Sequence, residues 1–365
     1  MKKITILGFG NVGKSLVHKL SNNFEINVLT FSDNKKDKNI TTVLNDGRVL
    51  KNKINKIYIE PKECLKNSDI LIITVPNFLR EEIVKKILPF LHKEILICFI
   101  PGIGPSQFMA NKYLKNYKVI CLERVPYIVR AENEIVQITG DREIIKYASL
   151  NGKDNFDSLI ELMFEKKAQK IKYSSVTLTS SNAILHTTRM FSLFFNKENQ
   201  SFKNKIYFYH DWDDEASKIF QICDNEIMQI CKKLKENKII EDDIISLMHY
   251  YESDTPQQLT KKITSIEAFK SIKLSMLELE KNQYILDRKT RFLTEDIPFG
   301  LLMFKGLAQL LEVKTPEIDK IIMWAQKILE KEYIKKNKII NFKNTGCPQN
   351  FGIFSLIDLN NIFKK

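Results

Sequence analysis

The sequence predicts an α/β fold followed by an all-α one, and three observations carry the prediction. The chain opens on ITILGFGNVGKSLVHKL, residues 4–20, where an apolar strand runs into three spaced glycines and then into an apolar helical face. Short continuous apolar runs stopped by proline follow, as strands covered on both faces of a parallel sheet read. From about residue 155 the apolar positions take helical spacing and keep it.

Within the opening stretch Ile4, Ile6 and Leu7 form the strand, and Gly8, Gly10 and Gly13 stand in the order G-x-G-x-x-G. Leu16, Val17 and Leu20 then share one helical face. In a strand, turn and helix of this kind the first glycine makes the turn, the second admits a pyrophosphate to the backbone, and the third lets the helix lie close on the sheet. Gly8, Gly10, Asn11, Val12 and Gly13 are therefore candidate dinucleotide contacts, because the helix N-terminus offers free N–H groups to phosphate.

The second strand of that unit reads INVLTF, Ile26 to Phe31. An acidic side chain near its end normally holds the ribose hydroxyls of NAD. Here Thr30, Phe31 and Ser32 occupy the place, Asp33 comes late, and Lys35 and Lys36 follow. NADP is thereby slightly favoured and NAD stays open, with solvated lysines as the alternative reading. DILIITV ends at Pro76, the run from Glu94 to Ile100 at Pro101, and Val119 to Leu122 is followed by Pro126. These loops sit at carboxyl strand ends and are expected to face the cofactor. The N-terminal domain, 1–170, is thus read as Rossmann-type, with a doubly wound, mostly parallel sheet closed by a helix near Phe156 to Lys166 and a short link to Lys172.

The second domain, 171–365, is read as helical. One stripe runs through Ala216, Ile219, Phe220, Cys223, Ile227, Cys231 and Leu234. A second runs through Leu259, Ile263, Ile266, Phe269 and Met276 after Thr255-Pro256, a good N-cap and N1 pair. The net charge of +13 is spread and interleaved with acids, which argues against nucleic acid. The dense basic runs at Lys35 to Lys38 and Lys335 to Lys338 fall at turns. No apolar run has transmembrane length, Met1-Lys2-Lys3 leads into a strand, and six scattered cysteines form no C-x-x-C pair. The expectation is a cytoplasmic protein with free thiols and no metal.

Chemistry must come from polar residues of the helical half. Asn182 and His186 lie four apart on one helical face, a pattern open to a core histidine or a catalytic one. Arg291-Phe292-Leu293-Thr294-Glu295-Asp296 precedes Pro298, which is read as opening a helix to Leu310. Asp296 could cap that helix or fix a histidine tautomer. Arg189 could meet a substrate carboxylate or an ion-pair partner, and His210 to Glu215 reads as an N-terminal cap rather than a metal site.

The segment RFLTEDIPFGLLMFKGLAQLLEVKTPEIDKIIMWAQ resembles the carboxy-terminal signature of the octopine/nopaline (opine) dehydrogenase family. SSNAILHTTRMF resembles its asparagine-histidine motif, and WDDEASKIF, YYESDTPQQLTKKITSIEAFKSIK and LERVPYIVR extend the likeness over the chain, with the look of a bacterial branch. The resemblance implies an NAD(P)H-dependent enzyme that condenses a 2-keto acid with an amino acid and reduces the imine. It implies His186 as the catalytic histidine, Asp296 as its carboxylate partner, Arg291 on the keto acid carboxylate, and Asn182 one turn before the histidine. Small-molecule substrates, no membrane and a homodimer are the partner expectations. The missing acid on the second strand is the departure from the pattern. A simple keto acid or hydroxy acid dehydrogenase and a non-enzymatic dinucleotide sensor are the alternatives.

Overall fold

The computed structural model describes residues 1–32, 38–132 and 135–364, and so leaves Lys35 and Lys36 outside the described residues. Contacts divide the chain into two compact units, Met1–Thr177 and Leu178–Lys364.

The first unit runs β1 (Lys3–Leu7), α1 (Asn11–Leu20), β2 (Glu25–Leu29), β3 (Asn39–Val43), β4 (Val49–Lys53), β5 (Lys56–Tyr58), α2 (Pro61–Lys66), β6 (Ile70–Ile73) and α3 (Asn77–Ile87). It continues through β7 (Leu96–Phe99), α4 (Ser106–Tyr113), β8 (Lys118–Leu122), β9 (Tyr127–Glu132), β10 (Ile135–Asp141), β11 (Ile144–Ser149), α5 (Asp157–Phe164), β12 (Lys167–Lys170) and α6 (Tyr173–Leu178). The main sheet has the order β12-β11-β8-β7-β6-β1-β2-β5, parallel from β8 to β5, with β11 antiparallel to β8. From β1 the chain builds outward through β2 and β5, then returns to build the other way through β6, β7 and β8. That reversal puts the carboxyl end of β1, and its glycines, at the topological switch point where ligands bind in such sheets.

Strands Ile70–Ile73 and Leu96–Phe99 are buried at every position, which is why they read as continuous apolar runs. A second sheet, β4-β3-β10-β9, was not legible in the sequence. It packs on α1, so Leu16, Val17 and Leu20 share one core with Ile40, Val129, Val136 and Ile138. Its strands are short, Thr- and Lys-bearing, and half exposed, and β3 pairs with β10 across a long sequence gap. Lys167–Lys170, expected as a link, instead pairs as an edge strand with β11.

The second unit contains α7 (Ser181–Phe194), α8 (Asp214–Glu236), α9 (Leu247–Tyr250), α10 (Pro256–Ser265), β13 (Met276–Glu280), β14 (Gln283–Leu286), α11 (Arg291–Thr294), a π-helical turn at Ile297–Leu301, α12 (Leu302–Leu310), α13 (Pro316–Ile328), the hairpin β15 (Ile334–Lys335) and β16 (Lys338–Ile339), and α14 (Leu356–Phe363). Helix α8 is central, packed on α7, α10, α12 and α13, with Ala216, Phe220, Cys223 and Leu234 fully buried. Asp213 caps it, accepting from Ala216 N at 2.9 Å. Thr255 and Gln258 form a capping box on α10, with Pro256 at its first turn. The second stripe is corrected: α10 stops at Ser265, and Met276 belongs to an antiparallel hairpin.

Candidate active site

At the end of β1 the three glycines have three different surroundings. Gly8 has φ +98°, and a Cβ there would meet Val75 Cγ1 at 2.7 Å. At Gly13 a Cβ would stand 2.2 Å from Gly8 O, so only hydrogen lets α1 close on the turn. At Gly10 a Cβ would meet nothing within 4 Å, which leaves open backbone beside the first turn of α1. Asn11 is exposed, Val12 partly so, and no side chain caps the helix, so its leading N–H groups can receive phosphate. These residues fit a dinucleotide.

Neighbouring strands hold the cradle. Thr74 Oγ1 donates to Gly8 O at 2.9 Å, a support that sequence reasoning missed. Buried Arg80 donates from Nε to Val75 O at 2.9 Å and from a terminal nitrogen to Pro101 O at 2.9 Å, tying together the loops after β6 and β7 that carry Pro76 and Pro101. Thr30 is buried, and its Oγ1 accepts from Ser32 N at 3.2 Å, turning the hydroxyl toward its own loop.

In the second unit α7 carries His186, and the stretch between α11 and the π-helical turn carries Asp296. His186 Nδ1 lies 2.7 Å from Asp296 Oδ2, so residues 110 positions apart form a dyad. Gly300 permits it: a Cβ there would stand 2.8 Å from Ala183 Cβ, one turn before His186 on α7. Asp296 makes no helix-capping bond, and Pro298 lies in the first positions of the π-helical turn rather than opening the α-helix, which starts at Leu302. Burial pushes the Asp296 carboxyl above the usual carboxylate range, while the adjacent imidazole pulls it back. An ionised Asp296 favours the tautomer with its proton on Nδ1 and leaves Nε2 as the acceptor nitrogen of a neutral ring.

Nε2 lies 2.8 Å from the Tyr209 hydroxyl, and Phe292 covers the imidazole with 4.2 Å between ring centroids. Sequence reasoning missed both. Tyr209 stands in an aromatic run, Tyr207-Phe208-Tyr209, but no spacing rule links it to His186. Asn182 is exposed on the first turn of α7.

The two arginines part company. Arg291, with a side chain 64% exposed, turns its Nε to Glu295 Oε2 at 2.7 Å. Arg189 is 1% exposed, donates to Asp213 Oδ2 at 2.6 Å, and also bonds to Asp211 O. Burial lowers its pKa, and the Asp213 charge opposes that. Of the two expectations for Arg189, the ion pair is the one present here, inside the unit between α7 and the cap of α8.

Residues 171–329 match the family model described as NAD/NADP octopine/nopaline dehydrogenase, alpha-helical domain, and residues 4–151 match ketopantoate reductase PanE/ApbA. An opine dehydrogenase of Haliotis discus hannai is 27% identical, over 99% of this chain and 99% of its own. A tauropine dehydrogenase of Arabella iricolor is 25% identical, over 98% and 99%. The solved octopine dehydrogenase with NADH and L-arginine superposes with a TM-score of 0.85 at 22% identity, covering 100% of this chain and 98% of that one, which shows a shared fold.

Proposed function

We propose that this chain, whose residues 171–329 match the octopine/nopaline dehydrogenase family model, is an NAD(P)H-dependent opine dehydrogenase. It would join the amino group of an amino acid to a 2-keto acid and reduce the resulting imine to an N-carboxyalkyl amino acid. The observation that carries the reading is the His186–Asp296 pair at 2.7 Å, borne by the helical unit that matches the family.

Bound nicotinamide would supply hydride; the chain supplies orientation and proton transfer. Gly8, Gly10, Asn11, Val12 and Gly13 would hold the pyrophosphate. Asp296 keeps the proton of neutral His186 on Nδ1 and stabilises the imidazolium, so Nε2 can serve as general acid and base. Arg291 would take the keto acid carboxylate with its planar fork, in competition with Glu295, and Asn182 would contact substrate from the same face of α7 as His186. Thr30 and Ser32, in place of an acid after β2, support acceptance of NADPH as well as NADH.

All six cysteines are free and buried, which suits a reducing cytoplasm. No helix among the described residues is long and apolar enough to cross a membrane. Phe354 and Ile357 are exposed apolar side chains that a homodimer could bury, and sedimentation velocity tests whether one forms.

NADH and NADPH oxidation across a panel of 2-keto acids, each with and without mixed amino acids, tests the activity. The expected result is turnover that requires both substrates. Keto acid reduction without amine would instead favour a hydroxy acid dehydrogenase, the reading to which the ketopantoate reductase match of residues 4–151 points.

A further inference from the structure

Both ring nitrogens of His186 are engaged, Nδ1 with Asp296 and Nε2 with the Tyr209 hydroxyl at 2.8 Å, and the residue is 8% exposed. A substrate can therefore exchange a proton with Nε2 only by displacing that hydroxyl or through it.

The surroundings of Tyr209 hold it in place. Its ring stacks on Phe269 with 4.4 Å between centroids and 23° between planes. The Phe208 ring meets it edge-on at 4.9 Å and 89°. Phe208 in turn lies 4.4 Å from Phe292, the ring that covers His186, so a continuous aromatic cluster runs from the imidazole to the phenol. Phe208 N donates to Ile272 O at 2.8 Å and Trp212 N to Tyr209 O at 3.2 Å, fixing the backbone on either side. Tyr209 is itself only 6% exposed.

We infer that Tyr209 is the group that hands the proton to the substrate, with His186 refilling it. The inference rests on the proposed acid-base role of His186. In the reductive direction the Tyr209 O–H bond breaks and its proton goes to the substrate nitrogen. The Nε2–H bond of the imidazolium breaks as its proton moves to the phenolic oxygen, leaving neutral imidazole. The carbon of the same C=N bond receives hydride from NAD(P)H, so the substrate gains one hydride and one proton and becomes CH–NH. The imidazolium returns a proton to the phenol as the phenol's own leaves, so no free phenolate is left behind. The hydroxyl suits both states of the ring, donating to neutral Nε2 and accepting from protonated Nε2–H.

Tyr209→Phe keeps the stacked ring and removes only the hydroxyl. Single-turnover loss of NAD(P)H absorbance, with saturating keto acid and amino acid, should slow about 10²-fold, while the KM for the keto acid stays within about threefold. A second measurement uses the unaltered enzyme and does not depend on the variant folding. The rate in mixtures of H2O and D2O should curve as two protons in flight require. An unchanged or faster Tyr209→Phe enzyme, or a straight proton inventory in the unaltered enzyme, overturns the relay and makes the hydroxyl a contact that substrate displaces. Absence of turnover with any pair in the unaltered enzyme overturns the parent reading as well, so the two failures are told apart.

Discussion

Replacing Gly300 with alanine tests the dyad without touching either of its members. The added Cβ would stand 2.8 Å from Ala183 Cβ and 3.0 Å from Ala183 Cα, whereas ordinary contact begins at 3.4 Å. The turn and α7 must separate by about 0.6 Å to clear the first contact. Both atoms belong to packed backbone or to its first side-chain carbon, so no flexible chain end can move aside instead. Asp296 lies four residues earlier on the same stretch, and its Oδ2 is 2.7 Å from His186 Nδ1. Transmitted fully, the displacement lengthens that bond to about 3.3 Å, past the usual hydrogen-bond range. Overpacking of this kind costs roughly 1–3 kcal/mol, and a misplacement short of 1 Å in the catalytic geometry can cost about 10- to 10²-fold in rate. Differential scanning calorimetry should show a lower unfolding midpoint, and steady-state assays a lower kcat with unchanged nucleotide affinity, because the glycine cradle lies in the other unit. Ala183→Gly added to Gly300→Ala should recover most of the lost rate, but less of the midpoint, since glycine inside a helix costs about 0.5–1 kcal/mol. A Gly300→Ala enzyme with unaltered midpoint and kcat would refute the reasoning.

Three further outcomes follow from the geometry. His186→Ala should lower turnover by about 10²- to 10⁴-fold, Asp296→Asn should lower it too, and the double variant should be little worse than the worse single one; additive losses in log rate would mean independent roles. At the glycine turn, Gly10→Ala should fold normally yet raise the Kd for NAD(P)H, whereas Gly13→Ala should lose folded protein, since its Cβ would lie 2.2 Å from Gly8 O. Circular dichroism and fluorescence titration separate the two, and equal stability would show that the turn relaxes. Arg189→Met should cost roughly 1–3 kcal/mol by removing the charge-assisted bonds that a buried guanidinium makes to Asp213 and Asp211 O, seen as a lower midpoint with the keto acid KM unchanged. A raised KM at normal stability would return Arg189 to the substrate.

The sequence alone determined what local periodicity and special residues encode. Buried strands such as Ile70–Ile73 are apolar at every position, and the glycine turn needs residues that lack a Cβ, so both are visible without partners. The Thr255-Pro256 pair announced the start of α10 because capping is a contact among neighbours in the chain. The His186–Asp296 pairing came only through the family resemblance, since spacing alone favoured a structural reading for each residue. Tertiary structure decided the rest. The sheet over α1 depends on β3 meeting β10, whose half-exposed, Thr- and Lys-bearing strands carry little pattern of their own. Asp296 was drawn from helix cap to histidine partner by Gly300 closing on Ala183, a contact between residues far apart in the chain. Tyr209 reaches His186 because the segment between α7 and α8 folds back over the imidazole. Arg189 was turned inward because the cap of α8, Asp213, lies beside it in space and not in sequence. Contacts of this kind leave no period to read, because the spacing between their partners is set by how elements pack and not by how one element repeats.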